Sequence, residues 1–254
     1  MTGSFSLTGK NIVITGASSG IGRSVAIECS RAGADLLLMG RNHERLLETL
    51  NSLSPGNHDM VAVDLSDHAI IESTLAPLLL KRGAVHGMVH AAGAELTSPF
   101  SMTRPKHFEA LFAINVIAGF ELARVLSRKQ HAGQQAGGSF IFIGSIRALY
   151  GQEGAVAYAA SKGAILSGIR SLALELAPRK IRVNAISPSI VQTPMTDNLF
   201  DSIPEETVTL MQKQHPLGFG EALDVALASV YLLSDAGRWM TGNNLVLDGG
   251  YSIR

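Results

Sequence analysis

Seven short apolar runs recur along the chain, and segments long enough to form helices separate them. Within each run the apolar residues are nearly continuous and do not alternate with polar ones. This pattern is typical of strands buried on both faces of a parallel sheet. The runs lie at 11–15 (NIVIT), 35–39 (DLLLM), 59–63 (DMVAV), 87–91 (GMVHA), 139–144 (SFIFIG), 181–187 (IRVNAIS) and 244–248 (NLVLD).

Helices are predicted between these runs, for example over 21–32, 41–53, 104–128 and 157–177. Alternating strands and helices predict an α/β fold with a doubly wound, seven-stranded parallel sheet of the Rossmann-like type. With 254 residues and no low-complexity linker, a single domain over 1–254 is expected. The segment 131–139 (HAGQQAGGS) is predicted to be a loop before a strand.

The stretch from 193 to 216 interrupts this rhythm between the last two strands. It is predicted to be an insertion that is helical in part. Because ligands of such sheets bind at the carboxyl ends of the strands, we expect this insertion to cover the substrate.

Composition and charge exclude several classes of partner. Formal net charge is zero and no run of Lys or Arg is present, which argues against nucleic acid. The opening MTGSFSLTGK has no apolar signal-like core and no apolar run is long enough to span a bilayer, so we expect a cytoplasmic protein without a membrane segment. Cys29 is the single cysteine and the eight histidines show no ligand spacing, so no metal site is predicted.

A glycine-rich turn follows the first strand, in the sequence TGASSGIG (15–22). Glycine also serves ordinary turns, but a turn between the first strand and the first helix lets the backbone approach a pyrophosphate at a helix N-terminus. The predicted dinucleotide contacts in this turn are Gly16, Ser18, Ser19, Gly20, Ile21 and Gly22.

The end of the second strand bears on the choice of dinucleotide. Gly40 stands where an acidic residue would bind the ribose 2′-hydroxyl of NAD, and Arg41 follows it. A guanidinium pairs well with a 2′-phosphate, so NADP(H) is predicted, with NAD(H) the less favoured alternative. A surface arginine that opens a helix is the other interpretation of Arg41.

Tyr158 and Lys162 lie four residues apart in AYAASKGAI (157–165). In a helix this spacing puts both side chains on one face. The pair by itself is either an incidental surface pair or a tyrosine whose phenolate the lysine stabilises.

Several motifs occur together in order: TGASSGIG, HAAG (90–93), Asn115, Ser145, YAASK (158–162), IRVNAISPS (181–189) with Thr193, and TGNNLVLDGG (241–250). Jointly they resemble the short-chain dehydrogenase/reductase family, in particular its single-domain members of about 250 residues that are similar to 3-oxoacyl-carrier-protein reductases. The resemblance covers essentially the whole chain.

The resemblance implies an oxidoreductase that interconverts a carbonyl and a secondary alcohol by hydride transfer. It implies a tetrad in which Tyr158 is the acid or base and Lys162 lowers the tyrosine pKa and holds the nicotinamide ribose. Ser145 would donate a hydrogen bond to the substrate oxygen, and Asn115 would hold a water near Lys162. The remaining alternatives are an NAD-dependent alcohol dehydrogenase and a catalytically silent dinucleotide-binding regulatory protein.

Further cofactor contacts and a homotetramer, or homodimer, built on the helices 104–128 and 157–177 are also implied. The additional cofactor contacts are Asp64, Leu65, His90, Ala92, Gly93, Val191 and Thr193. Two positions depart from the family pattern. His90 stands where Asn is usual, and Ser189 stands where Gly is usual.

The substrate is a small molecule whose identity the sequence does not define. Arg179 matches a basic position used for an acyl carrier, but Ala136 stands at the second such position. Glu95 and Arg147 are unusual charges near the tetrad. They either pair with each other or face solvent, or Arg147 receives an anionic or polyhydroxylated substrate.

Overall fold

The computed structural model describes residues 3–128, 137–201 and 203–253. Its main sheet has seven strands, and each lies within one residue of its predicted run at either end. They are β1 (Asn11–Thr15), β2 (Asp35–Gly40), β3 (Asp59–Ala62), β4 (Gly87–His90), β5 (Gly138–Ile143), β6 (Ile181–Pro188) and β7 (Asn244–Leu247).

The strand order is β3-β2-β1-β4-β5-β6-β7, and every neighbouring pair is parallel. The predicted doubly wound seven-stranded sheet is therefore confirmed. The chain winds outward from β1 to β3 and then returns to the other side of β1 at β4. A crevice forms at the carboxyl ends of the strands where the winding direction changes, between β1 and β4.

Nine α-helices are found in the described residues, and one predicted helix is interrupted. The segment predicted as one helix over 104–128 contains a π-helical turn at Ala113–Ile117. The helices are α1 (Gly20–Arg31), α2 (His43–Asn51), α3 (Ala69–Arg82), α4 (Pro105–Phe112), α5 (Ala118–Leu126), α6 (Val156–Leu176), α7 (Pro194–Phe200), α8 (Glu205–Lys213) and α9 (Ala222–Leu233).

The helices cover both faces of the sheet. Side chains along each inner strand alternate between the two faces, so each face carries apolar side chains that a helix buries. Ile12 and Ile14 of β1 pack in one core with Val25 of α1 and Val225 of α9. Val13 packs on the opposite face, in a core that contains residues of α3, α5 and α6. Both faces are therefore apolar, as the continuous apolar runs predict.

The predicted insertion over 193–216 and the predicted loop at 131–139 are described to different extents. The predicted insertion over 193–216 contains α7 and α8, so it is helical in part, as expected. Of the predicted loop at 131–139, residues 131–136 lie outside the described residues. Within the described ranges, no helix has both the length and the apolar character needed to cross a membrane.

Two leucines on neighbouring helices test the core directly. Leu122 of α5 is fully buried, whereas Leu80 of α3 is 83% exposed. Leu122→Ala is expected to lower the free energy of unfolding by about 2–5 kcal/mol, because it leaves a cavity. Leu80→Ala is expected to change it by no more than about 0.5 kcal/mol. Denaturant unfolding of both variants measures the difference, and equal effects would contradict the assigned core.

Candidate active site

A cleft of about 750 Å³ opens at the carboxyl edge of the sheet. On the floor of this cleft, glycines allow neighbouring backbone segments to come into direct contact. A Cβ on Gly16 would lie 2.7 Å from the Ala92 nitrogen, and a Cβ on Gly22 would lie 2.3 Å from the Gly16 oxygen. Gly16 also has a φ of +67°. The turn after β1 therefore tolerates no side chain at either position.

The N-terminus of α1 faces this cleft with its amide groups free of side-chain capping. Ser19 is the N-cap, its side chain makes no capping hydrogen bond, and the first turn contains no acidic residue. Free amides and the positive end of the helix dipole favour an anion. This donor set and the glycine floor fit the pyrophosphate of a dinucleotide.

The opposite end of the cleft lies beyond β2 and β3. Gly40 ends β2, and Arg41 is exposed in the loop before α2, whose N-cap is Asn42. Asp64 accepts hydrogen bonds at Oδ1 from the nitrogen (3.0 Å) and the hydroxyl (2.7 Å) of Ser66. These bonds, together with the charge of Arg41, lower the pKa of Asp64. Arg41 thus places a positive charge at the cleft. It does not begin a helix, because α2 starts two residues later, at His43.

Most of the predicted cofactor residues line the large cleft. They are Gly16, Ser18, Ser19, Gly20, Ile21, Gly22, Arg41, Asp64, Leu65, Ala92, Gly93 and Thr193. The sequence interpretation missed other lining residues, because nothing in a strand or turn pattern points to the side chains of a neighbouring helix. These include Ser66, Met195, and Lys106 and Glu109 of α4.

A smaller cavity of about 130 Å³ adjoins the cleft and shares Ile21, Gly93 and Thr193 with it. Ser145, Tyr158 and Lys162 line it, together with Val191. Ser145 follows β5, and Tyr158 and Lys162 lie one turn apart on α6. The Ser145 side chain hydrogen-bonds to Tyr158, which by itself lowers the tyrosine pKa. Three members of the predicted tetrad thus meet in one cavity.

The pKa values of Tyr158 and Lys162 in this cavity differ from what the resemblance implies. Burial, followed by the charge of Glu95, raises the pKa of Tyr158. Burial also lowers the pKa of Lys162 to about 8, although Glu95 acts in the opposite direction. Lys162 Nζ donates to the Ile143 oxygen at 2.7 Å and lies 5.7 Å from the centre of the Tyr158 ring. The pKa of Tyr158 therefore lies above its ordinary value, and not below it as the resemblance implies.

Asn115, the fourth predicted member, lies in the π-helical turn and is fully buried. Its Oδ1 accepts from the Ala94 nitrogen at 2.8 Å, and its Nδ2 donates to the Ala94 oxygen and to Ser161 Oγ, both at 3.0 Å. Both amide hydrogens are thus engaged within the protein. Asn115 fixes the loop after β4 against α6, and its side chain lines neither cavity.

His90 is buried behind the cleft and does not line it. Its Nε2 lies 3.0 Å from the Ile114 oxygen, so Nε2 carries the hydrogen. Its Nδ1 then accepts from the Thr15 hydroxyl at 3.0 Å, and Thr15 Oγ1 accepts from the Ala92 nitrogen at 3.1 Å. Burial, aided by the charge of Lys162, lowers the pKa of His90 to about 4, so the ring is neutral near pH 7. This side chain links β1, β4 and the π-helical turn.

Ser189, the second departure from the family pattern, makes a contact that glycine would lack. Its Oγ lies 2.6 Å from His215 Nε2, while His215 Nδ1 lies 2.8 Å from the Met211 oxygen. Because that carbonyl only accepts, Nδ1 carries the hydrogen and the Ser189 hydroxyl donates to Nε2. This hydrogen bond joins the end of β6 to the end of the insertion.

The unusual charges near the tetrad do not pair. In the described part of the chain, no ion pair within 4.0 Å joins Glu95 and Arg147. Arg147 Nη1 instead donates to the Tyr251 hydroxyl at 3.3 Å. Arg179 lies just before β6, at the sheet end opposite the tetrad, and Ala136 lies outside the described residues.

Comparison with known proteins agrees with this geometry. The chain matches a protein family described as enoyl-(acyl carrier protein) reductase over residues 16–252. L-xylulose reductase of Caenorhabditis elegans is 30% identical over 253 residues, which cover 99% of this chain and 99% of the relative.

Two solved structures have the same fold over almost their whole length. One is a short-chain type dehydrogenase/reductase from Mycobacterium ulcerans, with a TM-score of 0.89 at 29% identity, covering 98% of this chain and 92% of that chain. The other is a 3-oxoacyl (acyl-carrier-protein) reductase from Agrobacterium tumefaciens C58 with NADP bound, with a TM-score of 0.87 at 27% identity, covering 98% and 96%.

The fold, the motifs and the relatives agree on one enzyme class, whose members interconvert carbonyl and alcohol groups. The chain is an oxidoreductase and belongs to the short-chain dehydrogenase/reductase family.

Proposed function

We propose that this oxidoreductase uses NADP(H) to interconvert a carbonyl compound and a secondary alcohol, with Tyr158 as acid and base. The observation that carries the proposal is the meeting of Ser145, Tyr158 and Lys162 in a cavity that adjoins a glycine-floored cleft. In the reducing direction the carbonyl compound, NADPH and one proton give the alcohol and NADP⁺. Bound NADPH supplies the hydride, and the residues of this chain handle the proton.

Tyr158 gives its hydroxyl proton to the carbonyl oxygen as negative charge develops there. Its raised pKa keeps the hydroxyl protonated at neutral pH, so the proton is present when the carbonyl compound binds. Ser145 donates a second hydrogen bond to the same oxygen. In the oxidising direction the Tyr158 phenolate accepts the proton of the alcohol, and Ser145 keeps its hydrogen bond to the same oxygen.

Lys162 has three N–H donors, and Ile143 uses one of them. We assign the others to hydroxyl groups of the nicotinamide ribose. Asn115 acts as a positioning residue, because its amide holds the loop at Ala94 that lies between the two cavities. A water that links Lys162 to solvent would then bind to backbone rather than to the amide of Asn115.

Arg41 supports NADP(H) over NAD(H). It stands beside Gly40 at the end of β2, where a guanidinium can pair with the 2′-phosphate and where glycine replaces the acidic residue that would bind a ribose 2′-hydroxyl. The related reductase from Agrobacterium tumefaciens, solved with NADP bound, is consistent with this choice.

The insertion over 193–216 is proposed to cover the substrate, because Met195 and Thr196 at the start of α7 line the smaller cavity.

A homotetramer, or a homodimer, built on α5 and α6 is also proposed. Leu174 of α6 is 79% exposed and Ile117 beside α5 is 46% exposed, which suits a surface covered by another subunit. A cytoplasmic location remains a prediction from the sequence.

Tyr158→Phe removes the proton donor and leaves the ring in place. Carbonyl reduction is expected to fall at least about a hundredfold while NADPH still binds, because general acid catalysis of this kind contributes about 10²–10⁴-fold. Loss of absorbance at the NADPH band measures turnover, and calorimetry measures binding. A variant as active as the wild type would refute the assignment. Wild-type protein that binds NADPH but is inert toward a broad panel of ketones and alcohols would favour a silent regulatory protein.

Arg41→Ala tests the choice of cofactor. The charged hydrogen bond to a 2′-phosphate is worth about 1.5–3 kcal/mol when well formed. Since Arg41 is exposed, we expect the lower end, which is roughly a tenfold weaker Kd for NADPH. The Kd for NADH should not change, and calorimetry compares the two. Tighter binding of NADH than of NADPH by the wild type would contradict the proposal.

The lowered pKa of Lys162 predicts a pH dependence. A lysine is charged below its pKa, so its charge is lost as the pH rises through about 8. An uncharged lysine stabilises less well the phenolate that Tyr158 becomes when it gives up its proton, so the initial rate of carbonyl reduction should fall on the alkaline side of that value. Lys162→Arg keeps its charge to a pKa above about 12, and its residual activity should lack this decline. A wild-type rate that is flat across this range would contradict the assignment.

A further inference from the structure

Glu95 differs from the other residues that line the smaller cavity, because it carries a carboxylate. Among the described residues around this cavity it is the one carboxylate, and Lys162 is the one cation. The other side chains are apolar or carry hydroxyl groups. Glu95 lies in the loop after β4, and its charge acts on both Tyr158 and Lys162.

The Glu95 carboxylate has no hydrogen-bond donor in the described protein. Arg147 is near enough for its charge to act on Glu95, but its guanidinium is held by Tyr251, 5.4 Å from the ring centre and with a 3.3 Å hydrogen bond to the hydroxyl. Glu95 is an exposed residue over its whole surface, yet its carboxylate is surrounded enough for burial to raise its pKa. Closing the cavity over a substrate would remove more water from it.

A carboxylate that loses water needs a hydrogen-bond donor in return. The substrate is the group that enters this cavity, so the donor belongs to the substrate. Lys162 and Arg147 already place positive charge around Glu95, which disfavours an ammonium group. The negative charge of Glu95 also disfavours a carboxylate close to the reacting carbon. A hydroxyl group fits both conditions.

We propose that Glu95 determines specificity by accepting a hydrogen bond from a substrate hydroxyl, so that the enzyme prefers small hydroxylated ketones over ketones without a hydroxyl. This inference rests on the proposed carbonyl reduction. The volume of the cavity, about 130 Å³, suits a small polar molecule better than a long acyl chain.

The test compares acetoin with 2-butanone, two four-carbon ketones that differ by one hydroxyl. The wild type is expected to show a kcat/KM for acetoin at least about tenfold above that for 2-butanone, since a hydrogen bond to a charged group is worth about 1.5–3 kcal/mol. Glu95→Ala should lower this ratio by about tenfold or more. Glu95→Gln keeps an acceptor oxygen without the charge and should lie between them. Glu175→Gln, an exposed carboxylate on α6, is the matched control and should leave the ratio unchanged.

The outcomes separate this inference from the function on which it rests. If both ketones are reduced and Glu95→Ala lowers both equally, Glu95 does not select the substrate and the inference alone is wrong. If levulinate is preferred to acetoin and the preference disappears in Arg147→Ala, the site selects an anion and the inference is again wrong. If the wild type reduces no ketone in a panel that also contains ketoses, the proposed function fails and the inference fails with it. Circular dichroism and the Kd for NADPH show that each variant is folded.

Discussion

The backbone contact between Gly16 and the loop after β4 is the constraint on which the site depends. A Cβ on Gly16 would lie within 2.9 Å of three backbone atoms of Ala91 and Ala92. Because no side chain separates them, the turn that leads to α1 and the loop that leads toward Glu95 and Asn115 pack as one unit. The end of the cleft at the glycine turn and the cavity around Tyr158 are thereby held at a set separation.

Buried hydrogen bonds carry this constraint from one face of the sheet to the other. Thr15 binds the Ala92 nitrogen, His90 binds Thr15, and His90 also binds the carbonyl of Ile114 at the π-helical turn. His68 binds the neighbouring carbonyl, that of Ala113, at 3.0 Å. A π-helical turn shifts the register of a helix and leaves carbonyls poorly matched. Two imidazoles supply donors to them, and Asn115 then points at the loop after β4. The uncharged state of His90 is part of this arrangement, because a charged ring could not accept from Thr15.

Most of the fold could be predicted from the sequence, because each strand is a continuous apolar run between turn residues. The glycine turn and Arg41 could also be predicted, since they stand at the ends of the first two strands. The grouping of Ser145, Tyr158 and Lys162 was implied by the resemblance to the family, because the spacing of Tyr158 and Lys162 alone left two interpretations open. The π-helical turn could not be predicted, because its helix has an ordinary apolar pattern and the imidazoles that bind its carbonyls, His68 and His90, lie far from it in the sequence. The raised pKa of Tyr158 depends on burial and on Glu95, which no spacing rule reveals. Arg147 contacts Tyr251 rather than Glu95, since the last turn of the chain folds back beside β5.

The hydrogen bond between Ser189 and His215 joins positions 26 residues apart, at the two ends of the segment that contains α7 and α8. The segment is therefore a loop that is closed at its base, and the backbone pairing of Val191 and Gln192 with Gly220 and Glu221 closes it a second time. Doubling the length of such a loop costs only about 0.6 kcal/mol in chain entropy. The segment proposed to cover the substrate can thus change in length at little cost in free energy. The strands and the glycine turn that hold the rest of the site need not change with it.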